Sequence, residues 1–382
     1  MTTQRFQLVG SLLRPQNLLN YKNQIEKRDD IQYPFYETFP GYLETETEEI
    51  KKIIAKQIEQ KIPVVTDGEY SRSMWHLDFL WGLGGIERYI AENGYPFQDF
   101  DGQTFETRKD IGLRITAPLS GKNHHYINLY KQVTQQAQDT EVKITVFGAA
   151  HAFTELSVFN QVVGEGQIYA TPEDLKAGLI QAYKEFLTEY KEAGGKIVQF
   201  DDCLWEMFSD DNEHGVYNPA EVSLEDLADA FVAINNEVAD FGHELGLKVW
   251  THNCRGNYES RHASGGSYQS IAEKFLRDQR YDRFFLEWDD ERAGELSALA
   301  VLQDRPEVEV VLGLLSSKTS HLDDEQRVYN LLEKASEILP KERLYLSHQC
   351  GFASCDCGNH LSTDQQWAKI AQGQAIAKNF WG

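Results

Sequence analysis

The sequence has little positive charge. Its 37 Lys and Arg face 60 Asp and Glu, a formal net charge of −23 over 382 residues. Nucleic acid and anionic membrane are excluded as partners, because both are held by clustered Lys and Arg. Solubility is the plain use of such a charge. Long apolar runs are also missing, and none approaches the roughly 18 residues that cross a bilayer. The opening "MTTQRFQLVGSLLRP" is too short in its apolar part for a secretory signal, and Arg14-Pro15 interrupts it. The expectation is a cytoplasmic protein. Cysteine is scarce and odd in number, with five residues: Cys203, Cys254, Cys350, Cys355 and Cys357. That argues against a disulfide framework, and the crowding of the last three favours metal binding for some of them. No G-x-S-x-G, H-E-x-x-H, P-loop or G-x-G-x-x-G is present. Neither is an internal repeat or a low-complexity linker.

What is present is a series of short β-rich runs, mostly separated by helical stretches. The runs are "FQLVGS" (6–11), "IPVVTDGEY" (62–70), "VKITVFGAAH" (142–151), "KIVQFDD" (196–202), "KVWTHNC" (248–254), "RFFLEWDD" (283–290), "VEVVLGLLSS" (308–317) and "RLYLSHQCG" (343–351). Helical patterns fall at 42–61, 172–193, 223–245, 322–338 and 363–378. Thr171-Pro172-Glu173 starts the second and Gly194-Gly195 stops it, while Ser223-Leu224-Glu225-Asp226 opens the third. Strand-helix alternation implies an α/β fold with a parallel sheet. Eight such units predict a (β/α)8 barrel, one domain over 1–382, with an inserted segment at about 83–140 between the second and third strands. That insertion includes "RKDIGLRITAPLSG", which reads as a hairpin or loop excursion. An open doubly wound sheet would carry a Gly-rich phosphate loop after its first strand, and "VGSLLRP" is not one.

The chemically versatile residues fall at strand ends. Ser11, Glu69, Asp201, His252, Cys254, Glu287 and Cys350 all lie at or just past the carboxyl ends of predicted strands. In a barrel those ends converge on the face where active sites are built. His252 and Cys254 are two apart and share a strand face. Glu287 follows Phe284-Phe285-Leu286, where a carboxylate needs a partner. With Cys350 these give one nitrogen, one oxygen and two sulfurs, a donor set that suits zinc. Buried hydrophobic cysteines and a core histidine are the bland alternative. A second metal grouping competes within "CGFASCDCGNH": Cys350, Cys355, Cys357 and His360. Asp201-Asp202 as a glycosidase acid pair is weaker, since alternation points Asp202 away from Asp201. Trp75, His76 and His151 line a substrate cavity, pack in the core or lie exposed at the surface.

In order along the chain, "VGSLLRP", "VVTDGE", "VQFDD", "THNC", "FFLEWDD" and "LSHQCGF" resemble the cobalamin-independent methionine synthase family, specifically its C-terminal catalytic barrel. The resemblance implies a short, single-barrel member that is zinc-dependent. It implies His252, Cys254, Glu287 and Cys350 as zinc ligands. It implies Ser11, Glu69 and Asp201 as the groups holding the amino-acid end of a homocysteine-like thiol. The implied activity is that of a 5-methyltetrahydropteroyltriglutamate–homocysteine S-methyltransferase, with a methyl or other alkyl donor as second substrate.

There are departures. The family usually reads Asp-Glu-Pro where this chain has Asp201-Asp202-Cys203. Its long members carry a proton-donating histidine after the seventh strand, where this chain has Lys318 and then His321. Lys318 is expected to be solvated, and His321 to begin the next helix. Two other readings stand beside the first. One is a transferase for another thiol or donor, such as epoxide opening by a thiol. The other is a non-catalytic zinc- or thiol-binding barrel.

Overall fold

The computed structural model describes residues 4–98, 103–208, 223–263 and 265–382. Its strands are β1 (Val64–Val65), β2 (Gly84–Tyr89), β3 (Pro96–Gln98), β4 (Thr104–Glu106), β5 (Gly112–Ser120), β6 (Glu141–Phe147), β7 (Ile197–Asp201), β8 (Lys248–Asn253), β9 (Arg283–Glu287), β10 (Glu309–Leu315) and β11 (Leu344–His348). Seven of them form one parallel sheet in the order β1-β6-β7-β8-β9-β10-β11. β7, β9 and β11 are buried at every position. Continuous burial marks strands covered on both faces, which is why their sequences read as apolar runs rather than alternating ones.

The long helices follow their sequence signals. Thr171 caps Pro172–Glu192 and Ser223 caps Leu224–Glu244, each side chain accepting from a backbone N–H three residues on. Ser362 and Gln365 form a reciprocal capping box on Thr363–Trp381. The helix expected from 322 begins at Glu325 instead. Asp324 caps it by accepting from Gln326 and Arg327, so His321 stands before the helix, exposed.

The insertion contains the antiparallel pair β2–β5, the smaller pair β3–β4 and a helix, His125–Gln136. Residues 99–102 of it lie outside the described residues.

The first predicted strand is the main correction. Residues 6–11 add no regular strand and make a single parallel bridge, Phe6 to Leu346. Gln7 N donates to Leu346 O (2.8 Å) and Leu346 N to Arg5 O (2.9 Å). At the other end Leu12 N donates to Gly68 O (2.9 Å), and Thr66 Oγ1 to Gly10 O (2.9 Å). The Thr66 side chain thus takes the place of a ladder bond, and the segment runs close to Glu69, whose Oε1 is 2.7 Å from where a Cβ on Gly10 would stand. The segment thus touches both β1 and β11, the two edges of the sheet. Val9 joins a small apolar cluster with Val64, Ile197, Trp250, Phe285, Val311 and Tyr345. β6 contributes Lys143 nearby, its Nζ 4.4 Å from the centre of the Phe285 ring.

Candidate metal centre

Parallel register sets Asp201 of β7 beside His252 of β8. His252 is buried, and among the described residues neither ring nitrogen has a nitrogen or oxygen partner. Buried polar groups are nearly always satisfied, so such an imidazole points to a missing ligand. The Sγ atoms of Cys254 and Cys350 and a ring nitrogen of His252 all lie within 4.8 Å of one another. Among the described residues this is the one such group of three or more His, Cys, Asp or Glu. Hydrogen bonding with Cys203, then burial, push the Cys254 thiol up, against an opposing contact from Cys350. Hydrogen bonding with Cys254 and burial do the same to Cys350. Both sulfurs therefore keep their protons until a cation replaces them. An imidazole and two such thiols fit zinc.

The loop bearing Cys350 is pinned from several sides. Gly351 O accepts from Ser317 Oγ (2.8 Å) and Asn257 Nδ2 (2.8 Å). No other residue fits at 351, because a Cβ there would stand 2.0 Å from Ser11 Oγ. Ser11 is buried against this turn, and its carbonyl accepts from Phe352 N (2.9 Å). Arg14 ties the neighbourhood together. Its guanidinium donates to Ala353 O (2.5 Å), Cys355 O (3.2 Å), Glu69 O (2.7 Å) and Arg72 O (3.2 Å). In the sequence Arg14 merely interrupted an apolar stretch.

Glu69 is aimed inward by an unusual turn. Gly68 and Glu69 both adopt left-handed backbone, φ +69° and +58°, and Asp67 Oδ1 accepts from Glu69 N (3.0 Å). Glu69 Oε1 accepts from Thr145 Oγ1 (2.9 Å) and lies 3.5 Å from Arg72 Nη1. Asp201 Oδ1 accepts from Gln199 Nε2 (2.7 Å), whose Oε1 accepts from Lys143 Nζ (2.6 Å). Burial, then the charge of Glu69, push the Asp201 carboxyl up to about 8. Burial brings Lys143 down to about 7. Asp201 thus holds its proton beside Glu69 at neutral pH, and an arriving cation would release it.

Glu287 is placed differently from the three-residue group. Its Oε2 accepts from Arg255 N (2.8 Å), and its Oε1 accepts from Lys318 Nζ (3.1 Å) with Arg292 Nη2 at 3.6 Å. Burial favours its neutral form, but Lys318, Arg255 and Arg292 outweigh that and hold the carboxyl low. Lys318 is not solvated as expected. It is buried and stays charged, because Glu287 and Asp289 outweigh the effect of burial.

Asp202 is likewise more than a polar loop residue. Buried, it accepts from Leu204 N (3.1 Å), Trp205 Nε1 (3.1 Å) and Asn235 Nδ2 (2.9 Å). His76 and His151 are both buried, with His76 4.6 Å from the half-buried Trp75 ring and His151 4.6 Å from Phe147. The Sγ atoms of Cys355 and Cys357 are 2.6 Å apart, but with exposed His360 they form no second three-ligand group among the described residues. Cys203 was missed as a site residue. Its Sγ is 2.8 Å from Cys254 Sγ, a closeness foreshadowed only by strand register.

No family model matches the chain. Over 337 residues it is 34% identical to the uncharacterized protein YxjH of Bacillus subtilis, covering 88% of this chain and 85% of that one. A candidate vitamin-B12-independent methionine synthase from Listeria monocytogenes has a TM-score of 0.69 at 26% identity, covering 98% of this chain and 96% of that one. The chain belongs to the cobalamin-independent methionine synthase family. A B12-independent methionine synthase from Shewanella sp. W3-18-1, in complex with selenomethionine, shares the fold at 17% identity and a TM-score of 0.69, covering 98% and 97% of the two chains. In this methionine synthase family member the three-ligand group, Ser11 and the Glu69–Asp201 pair all stand at the carboxyl ends of the parallel strands or on the segment that joins the sheet edges.

Proposed function

We propose that the chain is a zinc-dependent thiol alkyltransferase whose reaction is methyl transfer to homocysteine, giving methionine. The observation that carries this reading is the buried imidazole of His252, with no nitrogen or oxygen partner among the described residues and within reach of two thiols. His252, Cys254 and Cys350 would hold the metal, with Glu287 as the fourth ligand the resemblance implies. Zinc, when bound, supplies deprotonation of a thiol that is otherwise mostly protonated at neutral pH. Glu69 and Asp201 would receive the substrate ammonium, and Ser11 with neighbouring backbone N–H groups its carboxylate. A Shewanella protein of the same fold is in complex with selenomethionine, consistent with an amino acid at the corresponding strand ends. Residues 5–12 would be the eighth stave of a (β/α)8 barrel. The net charge of −23 disfavours a polyglutamylated donor. A purely structural zinc site has no need of Ser11, Glu69 and Asp201, which weighs against the binding-module alternative.

The test is a methyl-transfer assay on zinc-loaded protein with homocysteine. The donors are methyl-tetrahydrofolate, methylcobalamin and S-methyl compounds. Methionine from any of them supports the reading. Zinc bound but no product from any donor sinks homocysteine methylation.

A further inference from the structure

The loop after β11 carries a pair of thiols that the metal centre does not use. Cys355 O accepts from Gly358 N (3.1 Å), which closes a β-turn over residues 355–358. In extended chain, residues two apart stand about 6.6 Å from each other, near the upper limit for a disulfide. The turn folds them closer, and the Sγ atoms of Cys355 and Cys357 are 2.6 Å apart. Neighbouring loops hold the turn in place. Asp356, between the two cysteines, donates its N–H to Ser73 O (2.8 Å) and accepts at Oδ1 from Arg108 Nη1 (2.6 Å). Trp75 N donates to Ser354 O (2.7 Å), and Arg14 Nη1 to Cys355 O (3.2 Å). Cys355 is buried and Cys357 exposed. A reagent in solvent therefore meets Cys357 first, with a second sulfur already beside it. The other close pair, Cys203 and Cys254, has no exposed member, and Cys254 belongs to the three-ligand group. Among the described residues no third His, Cys, Asp or Glu joins Cys355 and Cys357 in such a group, which favours redox chemistry over a zinc centre there.

We propose that Cys355 and Cys357 are a reversible dithiol–disulfide site, oxidised by low-molecular-weight disulfides. Its premises do not include the zinc reading. Cys357 Sγ attacks one sulfur of the oxidant, breaking the oxidant's S–S bond and releasing one thiolate. Cys355 Sγ then attacks Cys357 Sγ, forming the internal bond and releasing the second thiolate. The two cysteines lose two protons and two electrons, and the two released thiols take them up. The closed loop holds only Asp356 between the cysteines, so it gains little from restricting the unfolded chain. With its exposed sulfur, the bond belongs to the readily reduced class.

The hydrogen bond with Cys355 holds the proton on Cys357, so the exchange is slow and is read at equilibrium. The full chain, zinc-loaded and metal-free, is equilibrated with glutathione disulfide. Remaining thiols are blocked with iodoacetamide, and the masses of the chain and its peptides are measured. In both forms the native turn should lose two hydrogens and retain no glutathionyl group, and fragmentation should place the bond between Cys355 and Cys357. Excess reduced glutathione should restore both thiols. Cys357→Ser, a change at an exposed position, should form no bond there, and Cys355→Ala should keep a glutathionyl group on Cys357. Both cysteines still free at equilibrium overturn the proposal. So does a glutathionyl group that stays on Cys357 of the native chain, or a bond from either cysteine to a different partner. The metal-free form gives the same readout, so failure here leaves the zinc site standing, and failure of zinc binding leaves this pair standing.

Discussion

Lys318 and Glu287 form a charge pair with both side chains almost wholly enclosed, 1% and 2% exposed. Removing one member of such a pair leaves an uncompensated buried charge, which costs about 3–5 kcal/mol. Lys318→Met should lower stability by that order in urea titration, and adding Glu287→Gln should restore much of it. A pair that is structurally idle would show no such recovery. Glu155 gives a pH signature. It is buried and hydrogen-bonded to Tyr95 Oη (2.7 Å) and Asn160 Nδ2 (3.0 Å), and burial pushes its carboxyl up to about 7. Between its unfolded value near 4.3 and about 7, the native state holds a proton the unfolded state has released. The stability this group contributes is complete below the unfolded value and is lost as pH rises through about 7. Urea midpoints of native protein and Glu155→Gln, compared from pH 4.5 to 8, should therefore diverge in favour of the variant as pH rises. Parallel curves would sink the assignment. His252, Cys254 and Cys350 were legible in sequence because reactive side chains at the ends of apolar runs are out of place there. Cys203, Arg14 and Lys318 were not, because each takes its meaning from groups on other loops.

The sheet strands were readable as elements because burial on both faces leaves apolar runs. The exception is the segment around Phe6, where local composition resembles a strand but Thr66 and the backbone of Leu346 and Gly68 divide the pairing between two edges. Its hold is the Phe6 ring, fully buried and so close to the helix Thr363–Trp381 that a Cβ on Gly373 would fall 2.2 Å from it. Phe6→Ala should cost about 3–5 kcal/mol, the range for emptying a buried aromatic site. A loss under 1 kcal/mol in urea titration would mean that the segment is not anchored there. The stretch read as a hairpin or loop excursion, "RKDIGLRITAPLSG", instead holds the single strand β5, and its partner β2 lies in a part of the insertion where no strand was read. The helix His125–Gln136 was not legible, since its start rests on His124 Nδ1 accepting from Tyr126 N (3.1 Å), a cap outside the usual Ser, Thr, Asp and Asn.

Across the whole molecule the three-ligand group draws on the end of β8 and on the loop after β11, elements separated by two further strands of the sheet. A metal that binds only this arrangement stabilises the whole fold, by about 2.7 kcal/mol when its free concentration is 100 times its dissociation constant. Zinc should therefore raise the melting temperature and a chelator lower it, with the whole unfolding transition moving together. A melting temperature indifferent to both would count against a native metal site. The segment that touches both sheet edges sets a schedule as well. A ribosome makes residues 5–12 more than three hundred residues before their partner Leu346. At about 5–20 residues per second that is a wait on the order of tens of seconds. During it the nascent chain carries this segment with nowhere to dock on one side, so the sheet edges can be joined only once Leu346 has been made.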